Sequence, residues 1–228
     1  MGRKIPGIGR LAAALAVTAG VWACEGDLRL ARECYRIGDL QRSQRFFESE
    51  IDHNPLSFEA RYGYAIVLQE ICLGKKALGQ DRAEDWMVVA KAYGICAKLG
   101  EVRSFSENYA MALFHLANKL YAEEKYLPAL DYLSEARKLE PKNKYVLNLA
   151  GIVEYSLGRY NRAQETLEYL LAVDPSFISA YLNLGNVLWE AGQEDAALVT
   201  WKQALSLSPG NQAIINRIES ALKKIAGP

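Results

Sequence analysis

The side chains of this chain that could act as nucleophiles, general bases or metal ligands are few and widely spaced. The histidines and cysteines are His53, His115, Cys24, Cys34, Cys72 and Cys96. Their spacing resembles no zinc site, and no glycine-rich loop has the pattern that cradles a phosphate. The carboxylates are scattered, whereas general acid and base groups must share a cleft. We therefore expect no catalytic residue, no metal, no cofactor and no small-molecule substrate, and predict that the chain is not an enzyme.

The elements that carry these side chains repeat every 34 residues. Units begin at Ala110, Lys144 and Ile178. Position 8 of each unit is Gly or Ala, position 12 is aromatic, position 20 is Ala and position 32 is Pro. In chain order these columns contain Ala117, Gly151 and Gly185; Tyr121, Tyr155 and Trp189; Ala129, Ala163 and Ala197; and Pro141, Pro175 and Pro209. A fixed period of this length predicts an array of helical pairs that stack on one another.

Each regular unit is predicted to be two helices joined by a tight turn. In the unit 144–177, the first helix covers Tyr145–Leu157 and the second covers Asn161–Val173. Gly158 forms the turn between them, and Pro175 ends the pair because proline lacks the amide that a continuing helix needs. Alanine at position 20 lets the two helices approach closely.

The register extends only in part towards the N-terminus. One repeat covers residues 24–57, and the next unit, residues 58–109, is 52 residues long rather than 34. Within it, the stretch Cys72–Gln80 contains two glycines and indicates a loop. Apolar residues at helical spacing predict a helix over Arg82–Leu99, with Gly100 in the left-handed conformation that follows many helices. Residues Glu101–Glu107 are interpreted as a connector.

Three regular repeats follow, over residues 110–143, 144–177 and 178–211, and then a capping helix over residues 212–226. An open-ended array needs such a cap to cover its last apolar face. Ile215, Ile218 and Leu222 lie on one face of this helix, and we expect that face to be buried. Lys223 and Lys224 lie largely elsewhere and are expected to be in solvent.

These columns resemble the tetratricopeptide repeat (TPR) family. One repeat reproduces its pattern of Leu-Gly, Ala, aromatic, Ala and Pro in Leu184-Gly185, Ala197, Trp201, Ala204 and Pro209. The match covers residues 24–57 and 110–225 well and residues 58–109 poorly. The resemblance implies an all-α fold, a right-handed superhelical solenoid of helix-turn-helix repeats with a C-terminal capping helix. It also implies binding of extended peptides or other proteins on the concave face.

In similar proteins the first helix of each unit lines that concave face. The side chains that the resemblance places there are Phe114, Asn118, Tyr121, Asn148, Tyr155, Asn183, Asn186 and Trp189. Amides can pair with the backbone of an extended peptide, and the rings supply contact area. The alternative is that the rings at position 12 pack between neighbouring helices. Both interpretations stay open from the sequence.

The first 23 residues differ from the rest of the chain. Arg3, Lys4 and Arg10 precede an uncharged apolar run over residues 11–22, which is the pattern of an export signal. The residues before Cys24 resemble the bacterial lipobox. That resemblance implies removal of residues 1–23 and lipidation of Cys24, so that a lipid anchor ties the chain to a membrane. An ordinary cleaved signal is the alternative, and an uncleaved anchor is disfavoured because the apolar run is too short to span a bilayer.

Export would place Cys34, Cys72 and Cys96 in an oxidising compartment. An odd number of thiols leaves at least one of them free. We expect all three to be small buried residues. A bridge between Cys72 and Cys96 is not expected, because the two lie near opposite ends of an antiparallel helical pair.

Charge and length narrow the class of function. The 228 residues contain 27 Lys and Arg against 27 Asp and Glu. That balance gives no electrostatic reason to expect nucleic acid as a partner. The resemblance to the TPR family, together with the leader, implies a protein-protein interaction scaffold of the bacterial cell envelope that faces the periplasm. Glu25 follows Cys24, where resembling proteins retained at the inner membrane have Asp, so the outer membrane is favoured. A secreted or soluble periplasmic protein is the alternative.

Two kinds of envelope assembly factor have this size and plan. One is a pilotin-like lipoprotein of pili and secretion systems, and the other is an adaptor that holds peptidoglycan enzymes together. The sequence does not separate them. A chaperone-like binder of exported peptides or proteins, without a stable assembly role, is the alternative class.

Overall fold

The fold is all-α over the residues described by the computed structural model, 25–100 and 102–226, which contain no strand. They form eleven α-helices and one short 3-10 turn, Val102–Ser104. The helices are α1 Glu25–Arg36, α2 Leu40–His53, α3 Phe58–Ala77, α4 Ala83–Leu99, α5 Ser106–Ala122, α6 Tyr126–Leu139, α7 Lys144–Ser156, α8 Tyr160–Val173, α9 Ile178–Glu190, α10 Glu194–Leu207 and α11 Gln212–Ala226. The predicted fold class is confirmed. None of the described helices combines the length and apolarity needed to cross a bilayer.

The described residues divide into two compact units. The first contains residues 25–81 and 91–100, and the second contains residues 82–90 and 102–226. The predicted leader, residues 1–23, and the predicted lipidation site, Cys24, lie outside the described residues. The repeat boundaries proposed above stay predictions. In the unit 144–177 the ends of both helices fall within one residue of those expected.

The first unit packs α1, α2 and α3 around Ala31, Phe47, Ala60 and Val67, which are almost fully buried. The predicted loop over Cys72–Gln80 is wrong, because α3 continues to Ala77. Cys72 is buried on that helix. A glycine within a helix weakens it without breaking it when packing holds the rest of the turn. Of the two glycines, Gly79 with φ +68° marks the helix end, and Gly74 does not.

Gly100 has another role than the predicted one. Its φ is not in the left-handed region, so it does not end α4 in the conformation expected from sequence. A Cβ at this position would lie 3.0 Å from Cδ2 of Phe58. The glycine therefore lets the ring of Phe58 approach the backbone, which is a requirement for space that sequence position alone does not reveal.

In the second unit, three helical pairs follow one another: α5 with α6, α7 with α8, and α9 with α10. The position-20 alanines, Ala129, Ala163 and Ala197, are all fully buried where the helices of each pair meet. The first helices α5, α7 and α9 also contact one another in chain order. The helix α5 begins at Ser106, so the predicted connector over Glu101–Glu107 is too long by its last residues.

The turn between the helices of each pair needs a positive φ. Gly158 and Gly192 supply it, with φ of +70° and +78°. Glu124 occupies the same column in the preceding repeat and has φ +59°, a conformation that is unfavourable for a residue with a side chain. The geometry of the turn is thus imposed by the pairing of the helices even where the sequence lacks glycine.

The capping helix α11 is rotated relative to the prediction. Its buried residues are Ile214, Ile218 and Ala221, whereas Leu222 is 47% exposed. The predicted burial of Leu222 is therefore wrong, and Ile218 is the member of the predicted set that is buried. An offset of one residue turns a helix by about 100°. This rotation brings Arg217 and Lys224, on the same side of the helix as Ala221, next to the last repeat.

Candidate protein-binding face

The first-helix face is defined here by the eight predicted side chains on α5, α7 and α9. Residues spaced by three, four or seven along a helix share one side, which places Phe114, Asn118 and Tyr121 together on α5. Asn118 is exposed, and the other seven side chains of the face are partly buried. A ligand could therefore reach them, but each except Asn118 also packs against the protein.

Two amides of this face bind each other across adjacent repeats. Nδ2 of Asn183 on α9 donates a hydrogen bond of 2.9 Å to Oδ1 of Asn148 on α7. A carboxamide carries two donors and an acceptor with two lone pairs. The bond therefore leaves the Nδ2 group of Asn148 and Oδ1 of Asn183 without another protein partner among the described residues. Those two groups are a donor and an acceptor that a peptide backbone can use.

The rings at position 12 each contact an aromatic residue of the second helix of their own pair. The ring centroids of Tyr121 and Tyr126 are 5.5 Å apart, and those of Tyr155 and Tyr160 are 5.8 Å apart. Burial is the main cause that raises the pKa of Tyr155. Each of these rings thus packs on a neighbour and is only partly buried. The groove-binding interpretation of the rings stays a prediction.

Two further aromatic rings, those of Tyr145 and Phe177, extend the face beside Phe114. They were not predicted from the sequence. Tyr145 lies with its centroid 6.4 Å from Phe114 and 6.1 Å from Phe177. Nζ of Lys144 lies 5.4 Å from the Phe177 centroid and makes a 2.8 Å ion pair with Asp174. Tyr145 is 52% exposed, so it extends the apolar contact area beside Phe114.

Three members of the face also line a cavity at the C-terminal end of the second unit. This cap pocket, defined by Tyr155, Asn186, Trp189, Trp201, Arg217 and Lys224, has a volume of about 420 Å³. Nη1 of Arg217 donates a 2.9 Å hydrogen bond to Oδ1 of Asn186. The centroids of Trp189 and Trp201 are 5.8 Å apart. The two cations of the pocket were missed from sequence because they depend on how α11 is rotated.

The two histidines lie in different units, and the buried His115 contacts Phe114 of the face. His53 lies in the first unit, where its Nδ1 is 2.7 Å from the carbonyl oxygen of Ser49. His115 lies in the second unit and is buried, with its ring 4.3 Å from that of Trp86 and 5.3 Å from that of Phe114. Among the described residues, no group of three His, Cys, Asp or Glu side chains could hold a metal.

Comparison with known proteins supports the class that this fold and face define. A tetratricopeptide repeat family model matches residues 148–211. That segment contains most of α7, all of α8, α9 and α10, and five of the eight side chains of the face. The resemblance to the TPR family is therefore supported over residues 148–211, and proteins of this family act in protein-protein interaction and peptide binding.

Curated relatives are similar over only part of their length. A TPR repeat-containing protein of Rhizobium etli is 24% identical over 115 residues, which are 50% of this chain and 56% of the relative. Hsp70-Hsp90 organizing protein 1 of Glycine max is 25% identical over 152 residues, which are 66% of this chain and 27% of the relative. The chain thus spans little more than half of the first relative and about a quarter of the second.

Solved structures support the fold. YrrB, described as a TPR protein with an unusual peptide-binding site, has a TM-score of 0.61 at 16% identity, with 85% of this chain and 90% of YrrB covered. MamA has a TM-score of 0.55 at 19% identity, with 82% of this chain and 96% of MamA covered. At these identities the likeness shows a shared architecture of stacked helical pairs.

Proposed function

We propose that this chain is a protein-binding scaffold that holds a segment of a partner across the first-helix face. The observation that carries the proposal is the linked amide pair of Asn148 and Asn183. It presents an unused donor and an unused acceptor on a face that also carries partly buried aromatic rings. Hydrogen bonds to a peptide backbone give register, and the adjacent rings provide contact area.

The experiment that tests this face is site-specific crosslinking in cells. A photo-crosslinking amino acid at position 118, which is exposed on α5, should trap the partner. The same amino acid at position 168, exposed on the second helix α8, is the matched control and should not. Equal trapping at both positions, or none at either, would contradict the proposed face.

A pair of substitutions at Tyr155 tests whether its ring contributes to binding. Tyr155→Ala should reduce trapping at position 118 while far-ultraviolet circular dichroism still shows the folded helical content. Tyr155→Phe keeps the contact with Tyr160 and should retain trapping. If Tyr155→Ala instead unfolds the chain, the ring serves interhelical packing.

The proposed setting is the bacterial cell envelope, with a lipid on Cys24 and the array facing the periplasm. The sequence of residues 1–24 supports this, and we favour the outer membrane. Metabolic labelling with an alkyne fatty acid should label the wild-type chain and not Cys24→Ser. A cleaved but unlabelled wild-type chain in the soluble periplasmic fraction would instead support the secreted alternative.

Within that setting, the proposed role is an assembly factor. A secretin or pilus subunit trapped at position 118 would support a pilotin-like role. A cell-wall hydrolase or synthase would support an adaptor of peptidoglycan enzymes. The chaperone-like alternative is supported by the similarity to an Hsp70-Hsp90 organizing protein, and a transient, varied set of exported proteins would favour it.

A further inference from the structure

The first unit contains a small cavity that the proposed function does not use. This α2-α4 cavity has a volume of about 170 Å³ and is lined by side chains of α2, α3 and α4, namely Glu48, Ile51, Asp52, Arg61, Tyr64, Ala92 and Ile95. Small-molecule sites usually exceed about 300 Å³, so the cavity has the size for one side chain of a ligand. All of its lining residues belong to the first unit, whereas the first-helix face belongs to the second.

Part of the lining is apolar and accessible from solvent. Ile95 on α4 is 41% exposed, and Ile51 on α2 is partly buried. Ala92 precedes Ile95 by three residues and lies on the same side of α4, where its short side chain leaves room. A side chain that enters the cavity can therefore place aliphatic carbons against the two isoleucines.

The lining also has an excess of one negative charge. Glu48 and Asp52 are four residues apart, so both carboxylates lie on one side of α2. Arg61 is the one basic side chain of the lining, and its Nε donates a 2.5 Å hydrogen bond to the carbonyl oxygen of Pro55. In the part of the chain that the structure describes, no basic nitrogen lies within 4.0 Å of either carboxylate. Both carboxylates thus lack an ion-pair partner there.

Hydrogen bonds hold the carboxylate of Glu48 and leave one of its oxygens available. Its Oε1 accepts a 2.9 Å bond from Nε2 of Gln44 and a 3.1 Å bond from the hydroxyl of Tyr64. Burial, together with the bond to Glu48, raises the pKa of Tyr64, so that its hydroxyl remains a donor at neutral pH. Among the described residues, no group donates to Oε2 of Glu48 or to Asp52. Three carboxylate oxygens can therefore accept hydrogen bonds from a ligand.

We propose that the α2-α4 cavity binds a lysine or arginine side chain of a partner protein, with its aliphatic carbons against Ile51 and Ile95 and its charged end at Glu48 and Asp52. Long basic side chains combine an apolar stem with a cationic end, which matches the two parts of the lining. Charge-assisted hydrogen bonds to carboxylates are also stronger than bonds between neutral groups. The site is a second contact surface, which goes beyond the proposed function and does not depend on the first-helix face.

The test begins with two peptide-display selections on the full-length chain, using random heptapeptides. One selection uses the wild type, and the other uses the double variant Glu48→Gln and Asp52→Asn, which keeps the size of both side chains. We expect the peptides enriched only by the wild type to contain Lys or Arg. Identical peptide sets, or wild-type-specific peptides without a basic residue, would overturn the proposal and leave the proposed function standing.

The strongest wild-type-specific peptide is then synthesised with an acetylated N-terminus and an amidated C-terminus, so that only side chains carry charge. Its basic residue is replaced by glutamine in one form and by 2,4-diaminobutyrate in another, which keeps a charge and shortens the stem. Kd should rise about tenfold for the lost charge and about threefold for the shorter stem. Equal Kd for the unchanged and glutamine forms, or no binding of the capped peptide, would overturn the proposal.

Substitutions in the chain provide the matched comparison. The double variant Glu48→Gln and Asp52→Asn should bind the capped peptide about tenfold or more weakly than the wild type. The change of Glu165→Gln with Glu168→Gln, both exposed on α8, removes the same number of charges outside the cavity and should leave Kd unchanged. Equal losses in the two double variants would overturn the proposal.

Two further changes separate the contacts of the cavity from any loss of folding. Ile95→Ala should weaken binding about threefold, whereas Val88→Ala, similarly exposed on α4 but outside the cavity, should leave Kd unchanged. Arg61→Gln removes the cation of the lining and should tighten binding about threefold, a gain that unfolding cannot produce. Unchanged or weaker binding in Arg61→Gln, or equal effects of the changes at Ile95 and Val88, would overturn the proposal.

Discussion

Nδ2 of Asn183 lies 2.9 Å from Oδ1 of Asn148, and this hydrogen bond joins the first helices of two adjacent repeats. The two residues are 35 positions apart, one more than the period. A peptide bound at this point would contact both repeats at once. The amide pair therefore couples the stacking of α7 on α9 to the arrangement of groups that a partner would meet.

The hydrogen bond between these two amides should contribute measurably to the free energy of unfolding. Asn183→Ala and Asn148→Ala should each lower the free energy of unfolding, and a double-mutant cycle should give a coupling of about 1 kcal/mol, the usual size for one hydrogen bond. Chemical denaturation followed by circular dichroism provides the measurement. Additive effects of the two substitutions would show that the bond contributes nothing in solution.

Replacement of Glu124 by glycine should stabilise the second unit. Glu124 adopts φ +59°, and the equivalent residues of the next two repeats are glycines. The left-handed conformation costs roughly 1 kcal/mol for a residue with a Cβ, so Glu124→Gly should raise the free energy of unfolding by about that amount. Ala122→Gly, in the last turn of α5, is the control and should lower it. A lower melting temperature for Glu124→Gly would contradict the φ-based explanation.

The contact between Gly185 and Trp201 should tolerate no added methyl group. A Cβ at Gly185 would overlap the indole of Trp201, which is almost fully buried. Gly185→Ala should therefore lower the free energy of unfolding by about 1–3 kcal/mol through overpacking. Gly74→Ala is the matched control, because nothing lies within 4 Å of its Cβ position on α3, and it should raise stability slightly. Thermal melting of both variants is the measurement.

The ion pair of Asp174 with Lys144 predicts a dependence on acidic pH. Hydrogen bonds from Lys144 and Ser176 hold the pKa of Asp174 at about 2. A carboxyl whose pKa is lowered in the folded state stabilises the fold above its ordinary pKa, and this contribution is lost as pH falls towards 2. Lys144→Met should raise the pKa of Asp174, as measured by NMR titration. It should also reduce the fall in melting temperature as pH decreases from the ordinary carboxyl pKa towards 2. Lys142→Met should change neither, and an unshifted Asp174 in Lys144→Met would exclude the ion pair.

The three described thiols should differ in reactivity. Cys72 and Cys96 are buried, Cys34 is half-buried, and no disulfide joins any two of them. Burial raises the pKa of the Cys96 thiol to about 11, which leaves little thiolate at neutral pH. Maleimide labelling followed by mass spectrometry should modify Cys34 first and the other two only after denaturation. Rapid labelling of Cys96 in the folded chain would contradict its placement.

The regular helical pairs could be predicted from sequence because their signals are local and recur. Alanine at position 20, glycine at the turn and proline at position 32 act on neighbouring residues, so their meaning does not depend on distant contacts. In the unit 144–177 the predicted helices agree with α7 and α8 to within one residue. The continuation of α3 to Ala77 could not be predicted this way, since burial of residues such as Cys72 outweighs the weakening by Gly74.

The sequence by itself determined the all-α repeat architecture and the set of side chains on the first-helix face, because a 34-residue period fixes which residues share a helix side. Only the tertiary structure decided what those side chains contact. It linked Asn148 to Asn183, and it rotated α11 so that Ile214 is buried and Arg217 reaches Asn186. The physical reason is that α11 makes its contacts with residues far from it in sequence. Its rotation is set by packing against α10 and α9, which no spacing within α11 reveals.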